Sequence, residues 1–279
     1  VVYVPQGRYR LSVNGSDSYV VVSGDGLEGT TTDLINGTAI YAADTVLNTN
    51  GYTTSGDGGS GSWVQNGVTG QTASQSPMQI FTATGNGGLL NDGNGNQWLL
   101  NGDIDTRACG VVGDNSTDDA EATQSAINYG ILNKAKVHIP QLSMYFASKL
   151  TLSGRLDITC DTRGLMRWDS TDPANVGIEL AFTASSGQLC TINLPSLFGP
   201  AVNSSFAITG YGSGLQDQTS RIGTAVNLKG GDRVNITCQA INGFKNAFLP
   251  ESTATSTCDN INFTVNTSDF CENFVQAES

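Results

Sequence analysis

Two aspartates one repeat apart are the residues of this chain best placed to do chemistry. Asp232-Arg233-Val234-Asn235-Ile236-Thr237-Cys238 aligns with Asp259-Asn260-Ile261-Asn262-Phe263-Thr264-Val265 at an offset of 27 residues. If that repeat is one coil of a solenoid, Asp232 and Asp259 stack at about 4.8 Å, the spacing of neighbouring strands. Two carboxyl groups about 5–5.5 Å apart are what a retaining glycosidase places around a sugar linkage. Both aspartates also stand just before a strand, where Asp is a common turn former. The pair therefore reads either as a catalytic candidate or as a repeated turn. Asp161, Asp169, Asp172 and Asp217 fall in no pattern that ranks them.

Other residues invite a chemical reading and meet a structural one. Trp168, between Arg167 and Asp169, is a candidate for stacking on a sugar face, against a core or interface role. His138 is the single histidine, so a Ser/His/Asp triad would have to use it, and no nucleophile motif surrounds it. Asp92-Gly93-Asn94-Gly95-Asn96 begins like a calcium loop with Asp103 at the twelfth position, but Gln97 replaces the glycine at the sixth, and an Asn-Gly turn accounts for the run. The Gly-rich run 51–61 lacks the Gly-Lys-Ser/Thr ending of a phosphate loop and no helical pattern follows it. Six cysteines at 109, 160, 190, 238, 258 and 271 form no C-x-x-C pair or Cys/His metal spacing. They read as buried free thiols of a protein folded in a reducing cytosol. No metal and no cofactor is expected.

The elements that must carry these residues are mostly strands. Gly is abundant and Pro scarce, and Asn-Gly occurs eight times, seven of them at or before Asn101-Gly102, so the first part of the chain is dense in tight turns. Tyr9–Val13 and Tyr19–Val22 flank Asn14-Gly15 and predict a hairpin. Residues 23–38 read as a linker. Strands are expected around Trp63-Val64, Gln79–Thr82 and Gln97–Leu100. One helix is expected over 118–133, with Asp118 and Glu121 in capping-box spacing and Ala120, Ile127 and Ile131 on one face. From Val137 onward the pattern is strands and turns. Gly243–Phe248 aligns with Asp269–Phe274 at an offset of 26, and Ile-Thr-Cys recurs at 158–160 and 236–238, a separation of 78 that equals three such offsets. These repeats predict a solenoid of about 26 residues per coil, with a β-sandwich as the rival.

Two motifs add a family resemblance. Gly110-Val111-Val112-Gly113-Asp114-Asn115-Ser116-Thr117-Asp118-Asp119, followed by the Ala-rich helix, is similar to the start of many β-helix domains. Gly51-Tyr52 through Gly56-Asp57-Gly58-Gly59-Ser60-Gly61 is similar to a segment just upstream of it in phage spikes. In this order the pair resembles bacteriophage tailspike and tail-fibre proteins with a pectate-lyase-like right-handed parallel β-helix. The likeness covers residues 51–152 and thins to rung periodicity beyond. The family's Pro-x-Gly-x-Tyr after the first strand is not kept in Pro140–Tyr145, whereas Val4-Pro5-Gln6-Gly7-Arg8-Tyr9 does keep that spacing.

The resemblance implies an all-β chain: an end of a virion-anchoring region with its linker over 1–40, a small β domain over 41–107, and the start of a helix-capped β-helix over 108–279. It implies a homotrimer in the virion tail, assembled in the host cytoplasm, with other tail or adaptor proteins and host surface polysaccharide as partners. The function implied is attachment to that polysaccharide, with this portion mainly anchor and scaffold. A depolymerase acting on capsule or lipopolysaccharide, whose active site need not lie in these residues, is the alternative, and a bacterial surface β-helix adhesin a more distant one. On the residues alone, Asp114, Asp118 and Asp119 read as turn and cap residues. The net charge is −12, and residues 11–106 hold nine acids and no Lys or Arg. Such a surface repels nucleic acid and anionic membranes, and no apolar run reaches transmembrane length. A chain that begins at Val1 is expected to be a processed product or a fragment.

Overall fold

A computed structural model describes residues 7–13, 16–22, 29–37, 41, 43–70, 90–169, 176–182, 190–202, 222–251, 258–269, 271 and 273–275. The chain folds as two compact units, residues 1–110 and 111–279. The expected strand at Gln79–Thr82, the aspartates Asp172 and Asp217, and Val4–Gln6 lie outside the described residues.

In the first unit, β1 (Gly7–Val13) and β2 (Ser16–Val22) pair antiparallel with Val13 opposite Ser16, the register of a two-residue Asn-Gly connection. The expected linker contains a helix, α1 (Thr31–Asn36). Its capping box is local: the Thr30 hydroxyl accepts from the Asp33 N–H at 3.1 Å, and the Asp33 carboxylate accepts from the Thr30 N–H at 2.8 Å. Six residues are too few for a helical period to show in sequence. β3 (Val46–Asn48), β4 (Ser62–Gln65), β5 (Leu90–Asn91) and β6 (Gln97–Leu100) form an antiparallel sheet in the order β3-β4-β6-β5. It closes over buried Leu47, Trp63, Leu90 and Trp98. The strands expected at Trp63-Val64 and Gln97–Leu100 are β4 and β6. β7 (Ile104–Asp105) leads into a 3-10 turn, Thr106–Cys109.

The Gly-rich run between β3 and β4 is an anion-centred turn. Its one carboxylate, Asp57, accepts the backbone N–H groups of Tyr52, Thr53, Thr54 and Gly59 at 2.8–2.9 Å. Gly58 has φ +89°. A Cβ there would collide with the guanidinium of Arg107, which is held by Asp105 at 2.9 Å. Both constraints select glycine.

The second unit is a parallel β-helix. β8 (Asp114–Asp118) precedes α2 (Ala120–Asn133). Coil 1 is β9 (Val137–Ile139), β10 (Ser143–Phe146) and β11 (Leu150–Leu152). Coil 2 is β12 (Ile158–Cys160), β13 (Leu165–Trp168) and β14 (Val176–Ala181). Coil 3 is β15 (Cys190–Phe198), β16 (Ile222–Lys229) and β17 (Gly231–Asp232). Coil 4 is β18 (Val234–Asn242), β19 (Phe244–Glu251) and β20 (Cys258–Asp259). Coil 5 contributes β21 (Asn262–Asp269) and β22 (Asn273–Val275). Every pairing between successive coils is parallel.

The coil length differs from the expected constant. Val137, Ile158, Ile192, Ile236 and Phe263 occupy one row, so the 27-residue spacing holds for the last step alone. The two Ile-Thr-Cys triplets are two coils apart, not three, because residues are inserted between β14 and β15 and between β15 and β16. The pairing of Asn246 with Asn273 likewise corrects the offset of 26 to 27.

Alternation along the strands sends Met144, Met166, Leu197 and Ile241 inward as one row and Phe146 and Trp168 as another. Trp168 is therefore not a surface sugar platform. It is fully buried, stacked on Phe146 at 4.9 Å between ring centroids, tilted against Phe244 at 6.1 Å, and its Nε1 donates to the Ser148 carbonyl at 3.1 Å. Its polar sequence neighbours point outward because the strand alternates.

α2 lies on coil 1 and meets an exposed backbone edge there. The Gln124 amide accepts from the Thr151 N–H at 2.7 Å and donates to the Thr151 carbonyl at 2.8 Å, standing where a further strand would pair with β11. The helix starts at Ala120, two residues later than expected. The Asp118 carboxylate accepts from the Ala120 and Ala147 N–H groups at 3.1 Å each, which ties the helix start to the coil.

All six cysteines are free thiols. Burial pushes Cys109 up to about 12 and Cys160 to about 11, and raises Cys190 and Cys238 as well.

Replacing Gln124 by Leu preserves helix propensity but orphans both polar groups of Thr151. Urea denaturation is expected to show a loss of roughly 1–3 kcal/mol, and an unchanged midpoint would disprove the edge-capping role.

Candidate functional site

The aspartate pair falls in adjacent coils. β17 and β20 are parallel, with Asp232 opposite Asp259. The residue after each is in the left-handed region, Arg233 at φ 58° and Asn260 at φ 53°. Asn260 turns its side-chain amide onto Asp232 Oδ1 at 2.9 Å, and Arg233 Nε reaches Oδ2 at 3.1 Å. The Asn260 hydrogen bond, more than Arg233, holds the exposed Asp232 carboxyl below its usual range. An ionised carboxylate suits a nucleophile or base and not the acid that protonates a leaving group. Asn260 was not singled out from sequence, although the aligned Asp-Arg and Asp-Asn dipeptides mark its position.

A richer constellation lies on the outer face of the sheet that carries β8, β10, β13 and β15. Asp118, Tyr145, Arg167, Phe198 and Asn242 form one outward row across five neighbouring strands. Tyr145 and Phe198 are half-buried and flank Arg167. Two strand spacings separate them, about 9.6 Å. The Arg167 guanidinium is 4.7 Å from the Tyr145 ring centroid, and its Nε donates to Asn115 Oδ1 at 2.9 Å. Asp169 closes the group: Oδ1 accepts from the Tyr145 hydroxyl at 3.0 Å and Oδ2 pairs with Arg167 Nη1 at 3.3 Å. Desolvation, and then the bond to Asp169, raises the Tyr145 hydroxyl above its ordinary range, so it stays a donor. Aromatic rings beside fixed donors and acceptors are the equipment of saccharide recognition, where C–H faces stack on rings and hydroxyls are read by polar groups. Sequence alone could not rank Asp169 or find Tyr145 and Phe198, because the row joins residues 22 to 44 positions apart through unequal coils.

The remaining candidates have structural roles. His138 Nε2 is 3.6 Å from Asp161 Oδ1, and its Nδ1 is 3.3 Å from Thr159 Oγ1. Asp161 is also engaged by the Gln141 N–H at 2.9 Å. Thr159 sits on a regular strand and not on a strained nucleophile turn, so this is surface pairing across coils. Asp92 is buried and accepts from the Asn94 and Asn96 N–H groups at 2.9 Å, from Asn96 Nδ2 at 2.8 Å and from Trp98 Nε1 at 3.0 Å. That is a closed turn. Among the described residues no cluster of three His, Cys, Asp or Glu could hold a metal ion, and no helix is long and apolar enough to cross a membrane.

The aspartates of the 110–119 run divide their work. Asp114 accepts from the Ser116 and Thr117 N–H groups at 2.9 and 2.7 Å, which bring its pKa down to about 2. Asp119 is buried, and desolvation lifts it to about 6 although it accepts from the Val112 and Gly113 N–H groups.

No family model matches this chain, and no curated protein matches it. Solved structures do. It is similar to tailspike protein 2 of Escherichia coli O157:H7 bacteriophage CAB120, with 16% identity over 97% of this chain and 39% of that one, at a TM-score of 0.48. The tailspike protein of Acinetobacter baumannii phage AM24 has 11% identity over 90% of this chain and 56% of that one, at 0.35. Pantoea stewartii WceF, a glycan biofilm modifying enzyme with a bacteriophage tailspike-like parallel β-helix fold, has 12% identity over 90% of this chain and 51% of that one, at 0.40. The chain thus spans between about two fifths and somewhat over half the length of these proteins.

The carboxylates make a pH prediction. Burial of Asp57 opposes ionisation, but the four backbone N–H groups outweigh it and lower its pKa to about 2. A depressed folded-state value contributes stability above the unfolded value of 3.8, lost as pH falls toward 2. The melting temperature should fall between pH 4 and pH 2, and Asp57→Asn should reduce that slope while lowering stability at pH 7. A slope unchanged in the variant would show that the turn is not held by its carboxylate.

Proposed function

We propose that this chain is part of a bacteriophage tail spike or tail fibre that attaches to host surface polysaccharide, and that the outward row around Tyr145, Arg167 and Phe198 contacts the glycan. The observation that carries this reading is the two half-buried aromatic rings flanking a hydrogen-bonded Arg–Asp–Tyr group on an otherwise regular parallel β-helix. The paired motifs at 51–61 and 110–119 support the phage assignment. In this reading residues 1–40 end a virion-anchoring region, 41–107 form a small β domain, and 108–279 begin the glycan-facing solenoid. The spike is a homotrimer in the virion tail, docked to other tail or adaptor proteins.

A depolymerase reading is favoured by one specific feature, the register that sets Asp232 opposite Asp259 with Asp232 held ionised. Incubating the protein with host capsule or lipopolysaccharide and assaying new reducing ends or unsaturated sugars separates the two. Attachment alone yields binding without product. If product forms, full activity in Asp232→Asn and Asp259→Asn would remove this pair from consideration.

Glycan binding by the wild-type protein should weaken about tenfold or more in Tyr145→Ala with Phe198→Ala, since each stacked ring contributes roughly 0.5–1.5 kcal/mol beyond its buried area. Equal binding by the double variant would discard the row. Light scattering should give three times the 29.1 kDa chain mass, and a monomer mass would oppose the spike assembly.

A further inference from the structure

A cavity of about 410 Å³ opens where α2 hands over to coil 1 and coil 1 to coil 2. Its apolar wall is Ile131, Ala135 and Leu156, and its charged rim is Lys134, Lys136 and Arg155 against a single acid, Asp157. Three features set it apart. First, the chain carries 25 acidic and 13 basic residues, yet here cations outnumber carboxylates three to one. Second, among the described residues no ion pair involves Lys134, Lys136, Arg155, Arg163 or Lys245, and three of these five cations gather at this cavity. Third, Asp157 is already engaged, its Oδ1 accepting the Thr191 N–H at 3.1 Å.

The helix end explains part of this. Lys134 is the C-cap of α2, where a cation offsets the negative end of the helix dipole. Arg155 has no such reason to be there. It comes from the turn between β11 and β12, and the chain reaches this corner through Gly154, whose missing Cβ lets the backbone press against Ile131.

We infer that this cavity binds an acidic saccharide, with the sugar's C–H face on Ile131 and Ala135 and its carboxylate among Lys134, Lys136 and Arg155. The volume lies within the ~300–1,000 Å³ typical of small-molecule sites, and an apolar wall beside convergent cations matches a pyranose ring that bears a charged group. The choice of a sugar as carrier of the anion rests on the glycan-attachment reading, whereas the anion site itself does not. The cavity shares no residue with the Tyr145 row, so the two stand or fall separately.

The test is titration calorimetry of the full chain with a tetrasaccharide of alternating glucuronate and N-acetylglucosamine, its carboxyl-reduced counterpart, and inorganic phosphate. The glucuronate tetrasaccharide should bind, weaken as salt is raised from 50 to 300 mM by roughly the factor expected of two to three ionic contacts, and bind about tenfold more weakly to Lys136→Gln with Arg155→Gln. Both side chains are exposed, so the variant should melt with the wild type. Tyr145→Ala should leave this binding intact, which distinguishes failure of the outward row from failure of the cavity. Equal affinity for the carboxyl-reduced sugar, equal competition by phosphate, or undiminished binding by the double variant would each overturn the assignment.

Discussion

Everything in the second unit depends on the backbone of each coil being hydrogen bonded to the next. A parallel β-helix has no internal way to satisfy a strand's outward N–H and C=O groups except another strand at the same height. Within the stack that need is met by register, and register in turn aligns the inward rows and brings Phe146, Trp168 and Phe244 into contact. At the first coil β10 is met by β8, and the edge of β11 is met by one side chain. Gln124, which turns one N–H and the C=O of its planar amide onto Thr151, reproduces what a neighbouring peptide would offer there. The helix is therefore a chemical terminator of the ladder as well as an apolar lid, and its place before the first strand follows from that.

The same register builds the surface. Once Tyr145 is opposite Arg167 and Arg167 opposite Phe198, the outer face acquires an aromatic–cation–aromatic sequence that exists nowhere in the linear chain. Ion pairing between coils is organised likewise. Glu179 on β14 receives Lys149 at 3.0 Å from the coil before and Lys229 at 2.9 Å from the coil after. Its burial opposes ionisation, and the two ammonium groups prevail and lower its pKa. A nearly buried carboxylate with two opposite partners is the arrangement in which such a group is tolerated.

How much of this was legible beforehand follows from range. The local signals read true for the helix over most of 118–133, the first hairpin, the Trp63 and Trp98 strands, and the turn built on Asp92, but the helix's N-cap is Asp119, without a side-chain cap, and not the Asp118–Glu121 box. The solenoid was legible where coils are equal in length, so Asp232 and Asp259 were placed opposite one another correctly. It was misread where insertions after β14 and β15 stretch the coils, because 78 residues divide evenly into three coils while the backbone makes two. Trp168 shows a second limit. Arg167 and Asp169 beside it are polar, and in a strand that says nothing about the residue between them. α1 shows a third, a six-residue helix specified by the Thr30–Asp33 pair and too short to display a period. The Asn260 contact to Asp232 and the Tyr145–Asp169 bond join residues 28 and 24 positions apart, and no local pattern encodes them.

The free thiols carry a consequence for where such a chain can travel. At neutral pH a thiol raised to about 11, as Cys160 is, exists as thiolate in about one molecule in ten thousand. Disulfide exchange and oxidation proceed through the thiolate, and Cys109, Cys190 and Cys238 are buried as well as raised. These cysteines behave as small apolar residues whose reactivity has been switched off by their surroundings. Around these four sulfur atoms the fold is held by packing, and a passage from a reducing compartment to an oxidising one leaves them as they are.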